Sequence, residues 1–263
     1  MMLHNQQAYT PCQRSLNNRE PLGIGPLVWI IAMLLWVLPD AHGSGAETST
    51  GAVTGHVTYA GPSVPDEIVE VTRDRDYCGP TATNKAVLLN RRTGGLEGAV
   101  VSIDAPSAPI TGSTPLPVVI ANSHCAFTPR LVVARVEQPV EIRNDDPVMH
   151  NTHLTRDRRT FLNVALVPAG RPVRKPLVQP GIYTVTCDAH KFMTAHIVVL
   201  PHAYVSVTDS TGAFRIPHLP PGPHTLTIWH STLGTIQQHI TVPAHGETDI
   251  TIEYAANAGT HEN

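Results

Sequence analysis

Turn-forming residues interrupt this chain so regularly that little room is left for a helix of ordinary length. From Gly51 onward, Val53, Gly55, Val57 and Tyr59 alternate with Thr54, His56 and Thr58, and the run stops at Gly61 and Pro62. A two-residue period is what a half-buried strand requires, and no segment sustains the 3.6-residue period of an amphipathic helix. Shorter apolar runs follow at residues 86–89, 99–103, 131–134, 140–142, 182–187 and 196–200, separated by turns such as Arg92, Thr93, Gly94, Gly95 and Asn144, Asp145, Asp146, Pro147. Beyond Pro201 a series of hairpin-length strands carries Val205, Val207, Phe214, Ile216, Leu226, Ile228, Ile250 and Ile252. With 24 Pro and 19 Gly, the chain is expected to be all-β. Its 263 residues, 41% hydrophobic and 15% charged, suffice for a sizeable core and suggest two domains.

Residues 1–43 stand apart. An unbroken apolar run of 12 residues at 27–38 follows Arg14 and Arg19 and precedes Pro39 and the small residues around Gly43. That is the layout of a secretory signal, too short for the ~18–20 residues that span a bilayer. It is expected to be either cleaved near Gly43 or retained as an N-terminal anchor, so the mature chain is expected in the periplasm or outside the cell. Net charge is −3, with 15 Arg and 3 Lys, so no lysine-rich field exists to hold nucleic acid. Cys12 belongs to the leader, which leaves Cys78, Cys125 and Cys187 in an oxidising space. A disulfide between Cys78 and Cys125 is the plainer reading; a second metal site using His124 with them is the alternative.

Cys187 opens the most informative stretch, Cys187-Asp188-Ala189-His190-Lys191-Phe192-Met193, on a turn between two expected strands. Thiolate, imidazole and thioether on one loop are the soft, borderline and weak ligands that suit copper in both common oxidation states. Zinc would favour another thiolate or imidazole over Met193. A trigonal site needs one more imidazole, and His150, just past the expected strand at 140–142, is the candidate. His153 is out of strand phase with His150, and His196 faces away from Ile197, so both are expected on the surface or behind the ligands.

These residues resemble a known family. Asn144 through Asn151, Pro180 through Tyr183, and the Cys187, His190, Met193 spacing are similar to the cupredoxins, and to their amicyanin type in the compact ligand loop. Phe127, Thr128, Pro129, Val132 and Val140 resemble the strands that precede the first ligand histidine, so the resemblance covers about 117–200. It implies a Greek-key β-sandwich with one type 1 copper, His150, Cys187 and His190 as close ligands and Met193 as the distant axial one. It also implies that Asn151 ties the two ligand loops together. His190 would then be a partly exposed edge for electrons, rimmed by Ala189 and Phe192.

Gly55 to Tyr59, the Asp209 to Ile216 stretch and the Leu219 to Leu226 stretch resemble carboxypeptidase regulatory-like, or transthyretin-like, sandwich domains. Because the matching pieces flank the copper region, the expected layout is a smaller discontinuous sandwich of 51–105 and 202–254, a cupredoxin domain at 107–200, and a tail at 255–263. A tandem order is the competing layout. Trp229 and His230 are expected to be a core Trp beside a surface His.

The reading that follows is an exported blue copper protein carrying electrons to a transient redox partner protein, and not an enzyme. No His-x-His pair is present for a trinuclear copper cluster, and four protein ligands leave no open position for substrate. The alternatives are a copper carrier or sensor that hands the ion on, and an adhesion or glycan-binding sandwich with a structural metal. Arg156, Arg158, Arg159, Arg171, Arg174 and Lys175 offer either a steering surface for an acidic partner or a solvated basic loop.

Overall fold

The computed structural model describes residues 49–106 and 115–255. The expected leader and nearly all of the tail lie outside the described residues. Within them the chain runs β1 (Gly51–Tyr59), β2 (Glu67–Glu70), α1 (Arg75–Cys78), β3 (Thr81–Asn84), β4 (Leu88–Leu89), β5 (Leu96–Glu97) and β6 (Val100–Ile103). Next come β7 (Val118–Ser123), β8 (Ala126–Thr128), β9 (Leu131–Arg135), β10 (Pro139–Asn144), β11 (His150–Arg156), β12 (Arg159–Leu166), β13 (Val173–Pro176), β14 (Gly181–Thr186) and β15 (Thr194–Leu200). The last strands are β16 (Val205–Val207), β17 (Ala213–Leu219), β18 (Gly222–His230), β19 (Gly234–Val242) and β20 (Glu247–Tyr254). The fold is all-β: the only helix among the described residues is the four-residue α1. No helix among them is long and apolar enough to cross a membrane.

Two pairs of sheets enclose two cores. In the first, β17-β1-β20 faces β16-β6-β18-β19. Val53 and Val57 from the alternating face of β1 join Val101, Ile216, Leu226, Ile228, Ile252 and Tyr254 in its core. Strand β1 runs antiparallel to β17 and parallel to β20, and β6 lies between β16 and β18. Strands from before residue 105 and after residue 202 therefore share one core. In the second, β13-β10-β7-β8 faces β12-β11-β14-β15-β9, around Ile120, Phe127, Ile142, Leu154, Tyr183, Val185 and Ile197. Its two parallel pairings, β7 with β10 and β9 with β15, are made across intervening strands, which is the crossover of a Greek-key sandwich.

Strands β2 and β3 form a hairpin closed by α1. The alternation of β1 made that element legible, but β2 is exposed along most of its length and gives no such signal. Although the hairpin precedes β6 in sequence, Val71 is fully buried in the second core, with Val69, Cys78 and Ala82 packed beside it.

Where β15 meets β18, His196 and Trp229 stack edge to face at 5.5 Å, beside a small cavity of about 100 Å³ bordered by Lys85, Glu97, Arg130 and His230. Half-buried His196 thus packs against Trp229, on the opposite side from buried Ile197. One expectation is corrected: of the Trp229–His230 pair it is His230 that is buried, at 5% exposure. Nδ1 of His230 accepts the backbone N–H groups of Thr232 and Leu233 at 3.2 and 3.3 Å.

Two measurements follow from this packing. A methyl group at Gly55 would overlap the carbonyl oxygen of Ile250 on the adjacent parallel strand, so Gly55→Ala is expected to cost about 1–3 kcal/mol of stability in a urea titration. Burial, reinforced by His196, holds the His230 imidazole down from 6.5 to about 4. In that interval the unfolded chain binds a proton that the folded chain does not, so stability should fall as pH drops from 6.5 to 4. His230→Asn should flatten this fall by up to ~1.4 kcal/mol per pH unit; an unchanged slope would remove His230 as its source.

Candidate metal centre

His150 opens β11 after a turn built by Asn144. The Asn144 side-chain amide donates to the carbonyls of Val148 and Leu166 at 2.8 and 3.0 Å, and its oxygen accepts the Asp146 N–H at 3.1 Å. These bonds fix the point at which the chain enters β11, where His150 pairs with Leu166 on β12. On the other side β14 delivers Cys187, and a turn closed by the Met193 N–H on the His190 carbonyl at 2.9 Å returns the chain to β15.

The two turns bring three predicted ligands together. Nδ1 of His150 lies 3.9 Å and Nδ1 of His190 lies 3.7 Å from the Cys187 sulfur. All three residues are at most 2% exposed. Cys187 is the free cysteine among the described residues, while Cys78 and Cys125 are joined in a disulfide. Met193 is buried in the same core, three residues beyond His190. Asn151 donates its N–H to the Cys187 sulfur at 3.4 Å, and its side-chain oxygen accepts the Asp188 N–H at 3.3 Å, so it bridges the two loops.

The ring nitrogens facing away from the sulfur are equally well defined. Nε2 of His150 meets Asp146 Oδ2 at 2.8 Å, and Nε2 of His190 meets Asp74 Oδ2 at 3.0 Å. A carboxylate can only accept, so each Nε2 carries a proton, and in a neutral ring Nδ1 then directs its lone pair toward Cys187. Burial pulls the His150 imidazole below its ordinary value, with the Asp146 hydrogen bond opposing it. Burial acts upward on the Asp146 carboxyl, but the Cys125 N–H, the Tyr77 hydroxyl, the His124 N–H and the His150 ring outweigh it and hold the group below the usual carboxylate value. The result is a neutral imidazole beside an ionised carboxylate, the pairing that presents a ligand nitrogen to a metal ion.

Other expectations change here. His190 is buried at 2% exposure and Phe192 at 9%, so neither forms the partly exposed edge or apolar rim that the family resemblance implies. The hairpin carrying Asp74 and Cys78 covers His190. His153 stands outside the centre, bonded to Asp188 at 3.2 Å and Thr160 at 2.8 Å. His124 turns away to the Ser123 hydroxyl at 3.0 Å. Within the basic stretch, Arg174 reaches Glu141 at 2.6 Å, Arg156 reaches the Pro180 carbonyl at 2.8 Å and Lys175 reaches the Phe161 carbonyl at 2.5 Å. Three of its cations are thus tied into the sandwich. Sequence reading missed Asp74, Tyr77 and the role of Asp146, of which only Asp146 stood in a motif it had singled out.

Residues 193–255 match the carboxypeptidase regulatory-like domain. No curated protein matches the chain in sequence. Among solved structures it is similar to a Cu-containing nitrite reductase (NirK) from Thermus scotoductus SA-01, at 22% identity and a TM-score of 0.32 over 37% of this chain. The match spans 25% of the reductase. It is also similar to a purple cupredoxin from Nitrosopumilus maritimus, at 20% identity and a TM-score of 0.29, covering 32% of this chain and 99% of that one. A mutant of amicyanin in its reduced Cu(I) form gives 17% identity and a TM-score of 0.30, with 38% of this chain and 98% of that one covered.

Asn144→Ala would remove the side-chain donor to the carbonyls of Val148 and Leu166 and the acceptor of the Asp146 N–H. The expected loss is about 1–3 kcal/mol in the metal-free protein, read by chemical denaturation; a change under ~0.5 kcal/mol, the size of an ordinary surface substitution, would mean that Asn144 does not build the turn.

Proposed function

We propose that the chain is an exported type 1 copper protein that carries electrons, with His150, Cys187 and His190 as close ligands and Met193 as the distant fourth. The observation that supports this most directly is the convergence on one buried cysteine sulfur of two Nδ1 atoms, each from a ring whose Nε2 meets a carboxylate. The donor set fits copper: a thiolate and two imidazoles are held by rigid strands, with a thioether on the same loop. Copper bound there would supply one-electron cycling between its two oxidation states. The protein's own part is to hold these donors in place, to keep both imidazoles in one tautomer and to exclude water. With four protein ligands no position is left for a substrate, so we assign transfer and not turnover to the chain.

The Cys78–Cys125 bond supports an oxidising compartment, in line with the apolar run at 27–38. The pairing of β1 and β6 with strands beyond residue 202 supports a cupredoxin domain at 107–200 inserted in a discontinuous sandwich drawn from 51–105 and 202–254, with the β2–α1–β3 hairpin packed on the inserted domain. Electrons would pass to a partner protein in transient contact.

The test is a visible absorption spectrum of the full chain after one equivalent of copper(II). An intense band that bleaches on reduction, returns on oxidation and is abolished by Cys187→Ser is expected. A colourless product would overturn the assignment. Metal released on reduction would do so in favour of a carrier of the ion.

A further inference from the structure

Resting on that reading of the centre, we infer that the β2–α1–β3 hairpin is a working part of it, with Asp74 as the positioning residue for His190. The hairpin makes three contacts with the centre from five consecutive residues. Asp74 Oδ2 bonds Nε2 of His190 at 3.0 Å across 116 positions of sequence. Tyr77 donates its hydroxyl to Asp146 Oδ1 at 2.8 Å, and the other oxygen of that carboxylate holds His150. Cys78 is bonded to Cys125, and its sulfur lies 3.9 Å from the same His190 nitrogen. One turn of helix thus supports both imidazoles, His190 directly and His150 through Asp146.

The local conformation agrees with this assignment. An Asp at the start of a helix ordinarily turns its carboxylate back onto the first N–H groups. Asp74 makes no such bond and sits in the left-handed region at φ 53°. Its carbonyl instead accepts the N–H groups of Tyr77 and Cys78 at 3.0 and 2.8 Å, which leaves the side chain free to reach His190. Exposed ion pairs contribute little, but the His190 side chain is wholly covered while Asp74 keeps 35% exposure. Without the carboxylate, the buried Nε2–H would face only the Cys78 sulfur. Its proton would no longer be fixed on the outward nitrogen, and the lone pair would no longer be fixed on the inward one.

The experiment uses the full chain with Asp74→Ala, Asp74→Asn and, as a control in the same turn, Arg75→Ala, which breaks only the exposed pair with Glu70. Two readouts are taken: copper(II) affinity by competition with a chelator, and the His190 tautomer of the metal-free protein from its imidazole ¹⁵N shifts. Asp74→Ala is expected to weaken copper binding by about 10–100-fold and to mix the His190 tautomers. Asp74→Asn keeps an acceptor oxygen in a residue that tolerates the left-handed conformation, and should recover most of both. Arg75→Ala should change neither. Affinity within threefold of wild type, together with an unmixed tautomer in Asp74→Ala, would overturn the inference. If the wild-type chain itself fails to take copper with the expected colour, the functional assignment falls, and the tautomer measurement still decides the role of Asp74.

Discussion

A buried imidazole has two nitrogens to satisfy, and at this centre that requirement organises everything around it. Desolvation favours the neutral ring, and a neutral ring has one donor and one acceptor. Asp146 and Asp74 take the two donors, so the two acceptors are left pointing at the Cys187 sulfur. Asp146 does more than hold a ring. It also accepts the N–H groups of His124 at 2.6 Å and Cys125 at 2.9 Å, two residues in left-handed conformations. The same carboxylate therefore shapes the β7–β8 turn, places Cys125 for its bond to Cys78, and anchors Tyr77. Sheet, hairpin and ligand meet at one side chain.

What the sequence disclosed depended on whether a residue's neighbours in the chain were also its neighbours in space. His150, Cys187 and His190 sit at the ends of strands whose alternation is plain, on turns whose chemistry is specific. Asn151, next to His150, was reached only through the family resemblance. Asp74 and Tyr77 belong to an exposed hairpin with little apolar period, and their partners lie 116 and 69 positions away. Nothing local marks an Asp among alternating charges as the partner of a buried ring. The error at Trp229 and His230 is of another kind, because the signal was present. Leu226, Ile228 and His230 share one face of β18, and residue size suggested the core where phase should have decided it.

The covered histidine also changes what another protein would meet at this end of the sandwich. An exposed imidazole inside an apolar rim suits a small hydrophobic contact, but here His190 lies beneath the hairpin and Phe192 is itself buried. The exposed residues of the covering turn are Arg73, Asp74, Arg75, Asp76 and Tyr77, with Glu70 paired to Arg75. A surface of closely alternating charge generates little long-range field. Such a surface interacts through local, directional pairs, which salt weakens. The hairpin also excludes water from the rings, and in that lower dielectric each carboxylate–imidazole hydrogen bond is stronger than it would be at the surface. Sealing the centre and stiffening its ligands are thus one physical effect. Its consequence is that approach to the buried rings passes over a charged turn tethered by the Cys78–Cys125 bond, not over a bare imidazole edge.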